Sequence, residues 1–303
     1  MKIAFFYDFD PKQKEEWHIG YGMRIELQRR GYETKAYALP SHDKSYGFRE
    51  SIEDMKSGKF VPDVAFLSNA GPLTNADSYW HKENFGMCLM VQECGDEPQT
   101  YQSHMVLTNQ SDLVFTPDLR CHFAYQNRGI KSVWVTHWAD TLVYYPDDTE
   151  KTKECSTTTG SRGNGLTEWL EENLGDKFLN IRGPEGSYIS GKENGDLFRE
   201  SKMVFQFANN GEITRRIFEG AACGAMVITS KIDASTGIYD IFEEGIDIIY
   251  YNSPNECLEK IEYYLEHDQE REKIAYSAHQ KVMASHTLRN RMDTMLNKME
   301  QMI

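Results

Sequence analysis

The strongest constraint on this chain is the alternation of short apolar runs with stretches of helical spacing, which continues from one end to the other. Lys2–Tyr7 is a strand-like apolar run, residues 20–30 have helical spacing, and Gly31 stands where a helix is commonly capped. Glu33–Ala38 alternates as a strand. Residues 61–68, 85–92, 112–116 and 132–136 are further short apolar runs, each separated from the next by a plausible helix. Nearly continuous apolar strands between helices are the pattern of parallel sheets covered on both faces.

The pattern breaks once and restarts. Residues 147–165 (DDTEKTKECSTTTGSRGNG) are polar and rich in Thr, Ser and Gly, which predicts a linker. Beyond it follow a helix at 166–174, strands at 177–182 and 202–207, a helix at 214–223, and strands at 225–229 and 247–251. From residue 255 onward the spacing is helical throughout. A length of 303 residues suits two domains of about 150 each. The expected division is a first α/β lobe at 1–148, a second at 149–286, and a last helix at 287–303.

Composition narrows the class. Hydrophobic residues make up 40% and charged residues 26%, which is ordinary globular usage. The net charge of -14 is split evenly between residues 1–150 (15 basic, 22 acidic) and 151–303 (18 basic, 25 acidic). No basic arm supplies the field that a polynucleotide backbone requires, so nucleic acid is disfavoured as a partner. Six scattered cysteines form no C-x-x-C pair, so neither a zinc ribbon nor a redox pair is expected. No run approaches ~20 apolar residues, and the apolar start reaches acidic residues by position 8, too soon for a signal sequence. The expectation is a cytoplasmic protein with no membrane span.

Five stretches carry chemistry. Asp8-Phe9-Asp10 is an Asp-x-Asp, a pair more often solvated than metal-binding. Gly20-Tyr21-Gly22 opens a helix whose free N–H groups suit an anion, but Ile25 stands where the dinucleotide fingerprint needs its third glycine. Glu93-Cys94-Gly95-Asp96-Glu97-Pro98 crowds three carboxylates after a strand; this either raises one toward a general base or leaves Asp96 capping the next helix. Residues 157–165 (TTTGSRGNG) place small residues and Arg162 before a helix, an arrangement suited to a diphosphate. Residues 209–230 (NNGEITRRIFEGAACGAMVITS) read as loop, helix and strand. Glu219 is spaced to pair with Arg215 or Arg216, or to accept hydrogen bonds from a ribose diol.

In this last stretch Glu219-Gly-Ala-Ala-Cys-Gly-Ala-Met-Val-Ile-Thr resembles the "E-x-x-A-C-G-x-x-x-I-T" core of GT-B glycosyltransferases of the spore-maturation (CgeB-like) group, related to family 4. Residues 241–247 (IFEEGID), 256–275, and His286-Thr287 with Arg291 match further motifs of that group in order. In the first half, residues 19–33, the GDEPQ loop at 95–99 and the segment HWADTLVYYP at 137–146 resemble it more loosely.

The resemblance implies an α/β GT-B fold: two Rossmann-like lobes facing a central cleft, with C-terminal helices. It implies transfer of a sugar from a nucleotide-diphosphate-sugar, UDP-sugar first, to a hydroxyl acceptor of unknown identity, without a metal or other cofactor. The donor would be held by Gly160, Ser161, Arg162, Arg182, Gly183, Asn210, Gly211, Glu212, Arg216 and Glu219, with Lys202 a further cation. The acceptor would meet Gly20, Tyr21 and Gly22; if the reaction inverts, Asp96, then Glu93, would be the base, and if it retains, the departing phosphate would take the proton and Asp96 would only orient the acceptor. Family 4 enzymes carry a second glutamate eight positions before the ribose-binding one; here that position is Gly211, with Glu212 one residue late. The competing expectations are a two-lobed nucleotide-sugar-binding protein without turnover, and a carboxylate glycosidase.

Overall fold

The computed structural model describes residues 1–9, 19–68, 76–158, 165–181, 189, 191–208 and 210–303. It divides into one unit of Met1–Thr136 with Leu288–Ile303, and a second of His137–Thr287.

In the first unit the elements are β1 (Lys2–Tyr7), α1 (Ile19–Arg29), β2 (Glu33–Ala38), α2 (Tyr46–Ser57), β3 (Val64–Ser68), α3 (Lys82–Phe85), β4 (Leu89–Glu93), α4 (Tyr101–Thr108), β5 (Leu113–Thr116), α5 (Leu119–Gln126) and β6 (Ser132–Trp134). The six strands form one parallel sheet in the order β2-β1-β3-β4-β5-β6. Both neighbours of β1 and β3 are strands, and all side chains of β3 and β4 are buried, which explains their apolar runs at 64–67 and 89–91. On one face Phe6 stacks on Tyr37 and Phe48, with Trp80 and Phe85 edge-on to it. The run expected at 85–92 divides: Phe85 ends α3, and the strand begins only at Leu89.

The second unit continues with β7 (Lys153–Thr157), α6 (Leu166–Leu174), β8 (Phe178–Asn180), α7 (Lys192–Glu200), β9 (Ser201–Gln206), α8 (Arg215–Ala222), β10 (Met226–Ser230), β11 (Ile249–Tyr251), α9 (Pro254–Glu266) and α10 (Asp268–Ser285). Its sheet is also parallel, in the order β11-β10-β9-β7-β8. The last helix, α11 (Leu288–Glu300), belongs to the first unit, where Arg30 pairs with Asp293 at 2.6 Å.

Three expectations change. The linker at 147–165 contains β7, which sits between β8 and β9. Its sequence, KECST, lacks an apolar signature because two of its buried positions carry hydroxyls; Ser156 Oγ is satisfied inside the sheet, 2.5 Å from Ser201 Oγ. A helix the sequence did not suggest, α7, lies between β8 and β9. It buries Asn194, Gly195 and Arg199 beside Leu197 and Phe198, so its inner face is not apolar throughout. Finally, residues 137–147 belong to the second unit and not to the lobe at 1–148. Trp138 and Tyr144 are buried there, Asn194 Nδ2 donates to the Tyr144 hydroxyl (3.1 Å), and Arg199 donates to the Val143 carbonyl (2.9 Å).

Lys151 stitches this unit together. Its ammonium donates to the carbonyls of Arg199 (3.2 Å), Ser201 (2.9 Å) and Cys223 (3.3 Å), at the carboxyl ends of α7 and α8. Burial pushes its pKa down to about 8, against the opposing charges of Cys223 and Asp147. Between that value and its ordinary 10.5 the folded chain binds fewer protons than the unfolded one, so its contribution to stability rises with pH across this window. In urea unfolding, the stability of the wild type relative to Lys151→Met should therefore grow between these pH values, by up to about 3 kcal/mol. A difference independent of pH contradicts this.

Candidate functional site

In open parallel sheets, ligands gather outside the carboxyl ends of strands, where the strand order reverses. In the second unit the chain runs from β7 outward to β8 on one side and to β9, β10 and β11 on the other, so the reversal lies between β7 and β9. Arg216, in the first turn of α8, spans this point. Its Nε donates to Thr158 Oγ1 (3.3 Å), one terminal nitrogen to the Thr158 carbonyl (2.8 Å), and the other to the Gln206 side-chain oxygen. Thr158 directly follows β7 and leads into the glycine-rich segment; Gln206 ends β9. Arg216 is thus a strap between two strand ends, whereas its spacing alone suggested a partner on its own helix.

Glu219 lies one turn further along α8 and is 7% exposed. Arg215 Nε stands 3.5 Å from its Oε1, with the Arg215 guanidinium over the Trp138 ring at 5.8 Å. Burial pushes the Glu219 carboxyl up; the charges of Arg215 and Arg216 and a hydrogen bond with the Tyr144 side chain pull it back. Burial also raises the Tyr144 hydroxyl, so it stays protonated and can donate to that carboxylate. The bulk of α8 presses on the sheet, and a Cβ at Gly220 would lie 2.9 Å from Cβ of Val204. The helix is therefore held at a separation that only glycine allows there.

Beside the strap, a cavity of about 910 Å³ opens at the carboxyl ends of β9, β10 and β11. Trp169, Phe207 and Tyr251 supply aromatic wall, and Ser230, Lys231 and Asn252 supply polar groups. The Tyr251 hydroxyl donates to the Gln206 carbonyl (3.1 Å) and Ser230 Oγ accepts from the Ala208 N–H (2.9 Å), so the wall and the strap share their supports. Asn210 N–H donates to the Glu212 carboxylate (2.9 Å), and Gly211 between them has a φ of +66°, a left-handed turn that favours glycine. Gly160, Ser161, Arg162, Arg182 and Gly183, like Asp10, lie outside the described residues. Lys202 is the second residue of β9 and lines a different cavity of about 420 Å³ at the opposite ends of the strands, with Arg199 and Arg271, so it is not brought together with Arg216.

In the first unit the reversal lies between β1 and β3. Asp8, just after β1, pairs with Lys44 at 2.5 Å. Gly20, Tyr21 and Gly22 all fall inside α1 rather than in a loop before it. A Cβ on Gly20 would come 2.6 Å from the Tyr7 ring, so close packing accounts for this glycine, and Arg24 lies over Tyr21 at 5.6 Å. Glu93 ends β4, is buried, and accepts from Ser68 Oγ at 3.0 Å. Asp96 is exposed. It does not cap a helix with Pro98 in its first turn, because α4 starts at Tyr101 after Thr100.

The carboxylate that organises this loop is Glu97, which no local spacing distinguishes from its two acidic neighbours. It is buried, accepts from Thr116 Oγ1 (2.5 Å) and the Tyr125 hydroxyl, and meets His104 Nδ1 at 3.2 Å. Cys94, Glu97 and His104 are the one group among the described residues whose spacing suits a metal ion; no zinc motif announced it.

Residues 156–297 match the model of the family described as glycosyl transferase-like. No curated protein sequence matches the chain. Among solved structures, sucrose-phosphate synthase from Thermosynechococcus elongatus superposes with a TM-score of 0.70 at 10% identity, over 99% of this chain and 98% of that one. HepE of Anabaena in complex with UDP-glucose gives a TM-score of 0.67 at 12% identity, over 98% of this chain and 100% of that one. T4 phage BGT in complex with its UDP-glucose substrate gives 0.62 at 14% identity, over 99% of each chain. The chain therefore has the GT-B fold that the resemblance implied, two Rossmann-like units each built on a parallel sheet, and the glycosyl transferase-like match covers most of its second unit. No helix among the described residues is long and apolar enough to cross a membrane.

Replacing Arg216 with Ala removes the strap and leaves the buried Gln206 oxygen without this donor. Urea unfolding should show a loss of about 1–3 kcal/mol. Arg216→Lys should recover only part of it, since an ammonium cannot reproduce the planar fork. A variant as stable as the wild type contradicts the role.

Proposed function

We propose that this protein is a glycosyltransferase that binds a nucleotide-diphosphate-sugar on its second unit and transfers the sugar to a hydroxyl acceptor. The observation that carries the reading is the strapped reversal point between β7 and β9, flanked by an aromatic-walled cavity, within the segment that matches the glycosyl transferase-like family. A UDP-sugar is the proposed donor, because HepE of Anabaena and T4 phage BGT, with the same fold, hold UDP-glucose.

The roles follow from chemistry. The cavity walled by Trp169, Phe207 and Tyr251 has the size and apolar faces for a nucleoside base. Glu219, whose carboxyl burial pushes up while two arginines and the Tyr144 hydrogen bond partly offset the shift, is the acceptor of the ribose hydroxyls. As the anomeric bond breaks, negative charge grows on the diphosphate, and fixed donors that need not reorganise stabilise it best. Arg216 already serves Thr158 and Gln206, so the cation for that charge is Arg162, in the glycine-rich segment that Arg216 anchors at Thr158. Arg182, Gly160, Ser161 and Gly183, with the turn Asn210-Gly211-Glu212, complete the proposed donor set. No metal is given a catalytic step. Of the two carboxylates considered as base, Asp96 is exposed and Glu93 buried, which favours Asp96 for taking the acceptor's proton.

A thermal-shift panel of nucleotide-sugars, followed by assay of nucleotide release, tests this. Stabilisation by a UDP-sugar with slow release of UDP is expected. Stabilisation without any release would identify a nucleotide-sugar-binding protein, and release of sugar from a glycoside without nucleotide would identify a glycosidase. Glu219→Ala should raise the donor KM about tenfold or more, the loss of one charge-assisted pair of hydrogen bonds. An unchanged KM contradicts the ribose assignment.

A further inference from the structure

In the first unit, away from everything assigned to the donor, three ionisable side chains of different chemistry converge in the interior. Cys94 follows β4 and is fully buried, Glu97 is 1% exposed, and His104, in α4, is 2% exposed. One ligand-type atom from each, the Cys94 Sγ, a Glu97 carboxylate oxygen and a His104 ring nitrogen, lies within 4.8 Å of both others. We propose that Cys94, Glu97 and His104 form a structural binding site for a zinc-class divalent cation.

The geometry is close to what such an ion requires. Tetrahedral zinc bonds of about 2.0–2.3 Å set neighbouring ligand atoms roughly 3.3–3.7 Å apart. The His104 Nδ1 to Glu97 Oε1 distance is 3.2 Å. The Tyr125 hydroxyl, 3.8 Å from the Cys94 sulfur and hydrogen-bonded to Glu97, borders the fourth vertex. A sulfur, nitrogen and oxygen set suits zinc, whereas calcium and magnesium take oxygen ligands. Thr116 Oγ1 and the Tyr125 hydroxyl both donate to the Glu97 carboxylate, the kind of outer support that orients a ligating carboxylate. Binding takes the ion from water and releases the Cys94 thiol proton to solvent, leaving thiolate, carboxylate and neutral imidazole around the dication.

A bound dication would give these three buried side chains a common partner. The ligands span one short stretch of chain, with Cys94 and Glu97 on either side of the exposed Asp96 and His104 on the helix that follows. The ion would pin the 94–98 turn to α4 and present Asp96 outward. It would act by position and make no contact with substrate. The site does not depend on the glycosyltransferase reading, and its test does not use activity.

The full chain, freed of metal with a chelator, is titrated with Co²⁺. The expected result is one equivalent bound, with a near-ultraviolet thiolate-to-cobalt charge-transfer band and strong visible bands of a tetrahedral site, both removed by excess Zn²⁺. Cys94→Ser should abolish the charge-transfer band, while Cys88→Ser, outside the cluster, should keep it. Absence of any cobalt band in a folded wild type, or persistence of the band in Cys94→Ser, overturns the proposal. Should Cys94→Ser fail to fold, the X-ray absorption fine structure of zinc bound to the wild type decides. One sulfur scatterer at about 2.3 Å with nitrogen and oxygen neighbours supports the site, and oxygen and nitrogen alone overturn it.

Discussion

A parallel sheet buried on both faces leaves little place for polar groups except at the ends of its strands. Both units of this chain are built on that constraint, and the rest of the structure follows from it. Helices must cover each face, and the connections between them collect at the strand ends. Where the order reverses, the two neighbouring connections leave in opposite directions and open a crevice. In the second unit that crevice is bridged by the Arg216 guanidinium, joined to Thr158 after β7 and to Gln206 at the end of β9. The strap couples the start of the glycine-rich segment to the start of the Asn210–Glu212 turn, so the two loops proposed to hold the donor share one anchor.

The same constraint explains the placement of charge. Glu219 faces Arg215, Tyr144 and the Trp138 ring because residues 137–147 pack against α8 within the second unit. Burial pushes a carboxyl so enclosed upward, and two arginines and a phenol offset part of that shift. In the first unit the corresponding strand ends carry Glu93, Asp96 and Glu97 in one short loop. Burial separates them into three environments: Glu93 on Ser68, Glu97 at the centre of a polar cluster, and Asp96 at the exposed surface. Three carboxylates that look alike in sequence are thereby given different chemistry.

Most strands could be read from the sequence because a doubly covered strand is apolar along most of its length, as at residues 3–7, 64–67, 89–91 and 226–228. Strand β7 could not, since Ser156 and Thr157 occupy buried positions and a polar, Gly-rich neighbourhood reads as linker. Helix α7 was hidden for a related reason: Asn194 and Arg199 are buried through bonds to Tyr144 and Val143, some fifty residues away in the chain. The end of the first unit at Thr136, rather than near 148, likewise follows from Tyr144 and Trp138 meeting side chains of α7 and α8.

By itself, the sequence determined the α/β class, the succession of two such units, the importance of the stretch 209–230 and the kinship of its motif with GT-B enzymes. These depend on periodicity and local spacing, which one chain displays directly. Only the tertiary structure decided that Arg216 ties Thr158 to Gln206, that Lys202 belongs to the other end of its strand, and that Cys94, Glu97 and His104 meet. Each depends on contacts between elements, and the distance between two side chains in space is set by the packing of the sheet and not by their separation along the chain.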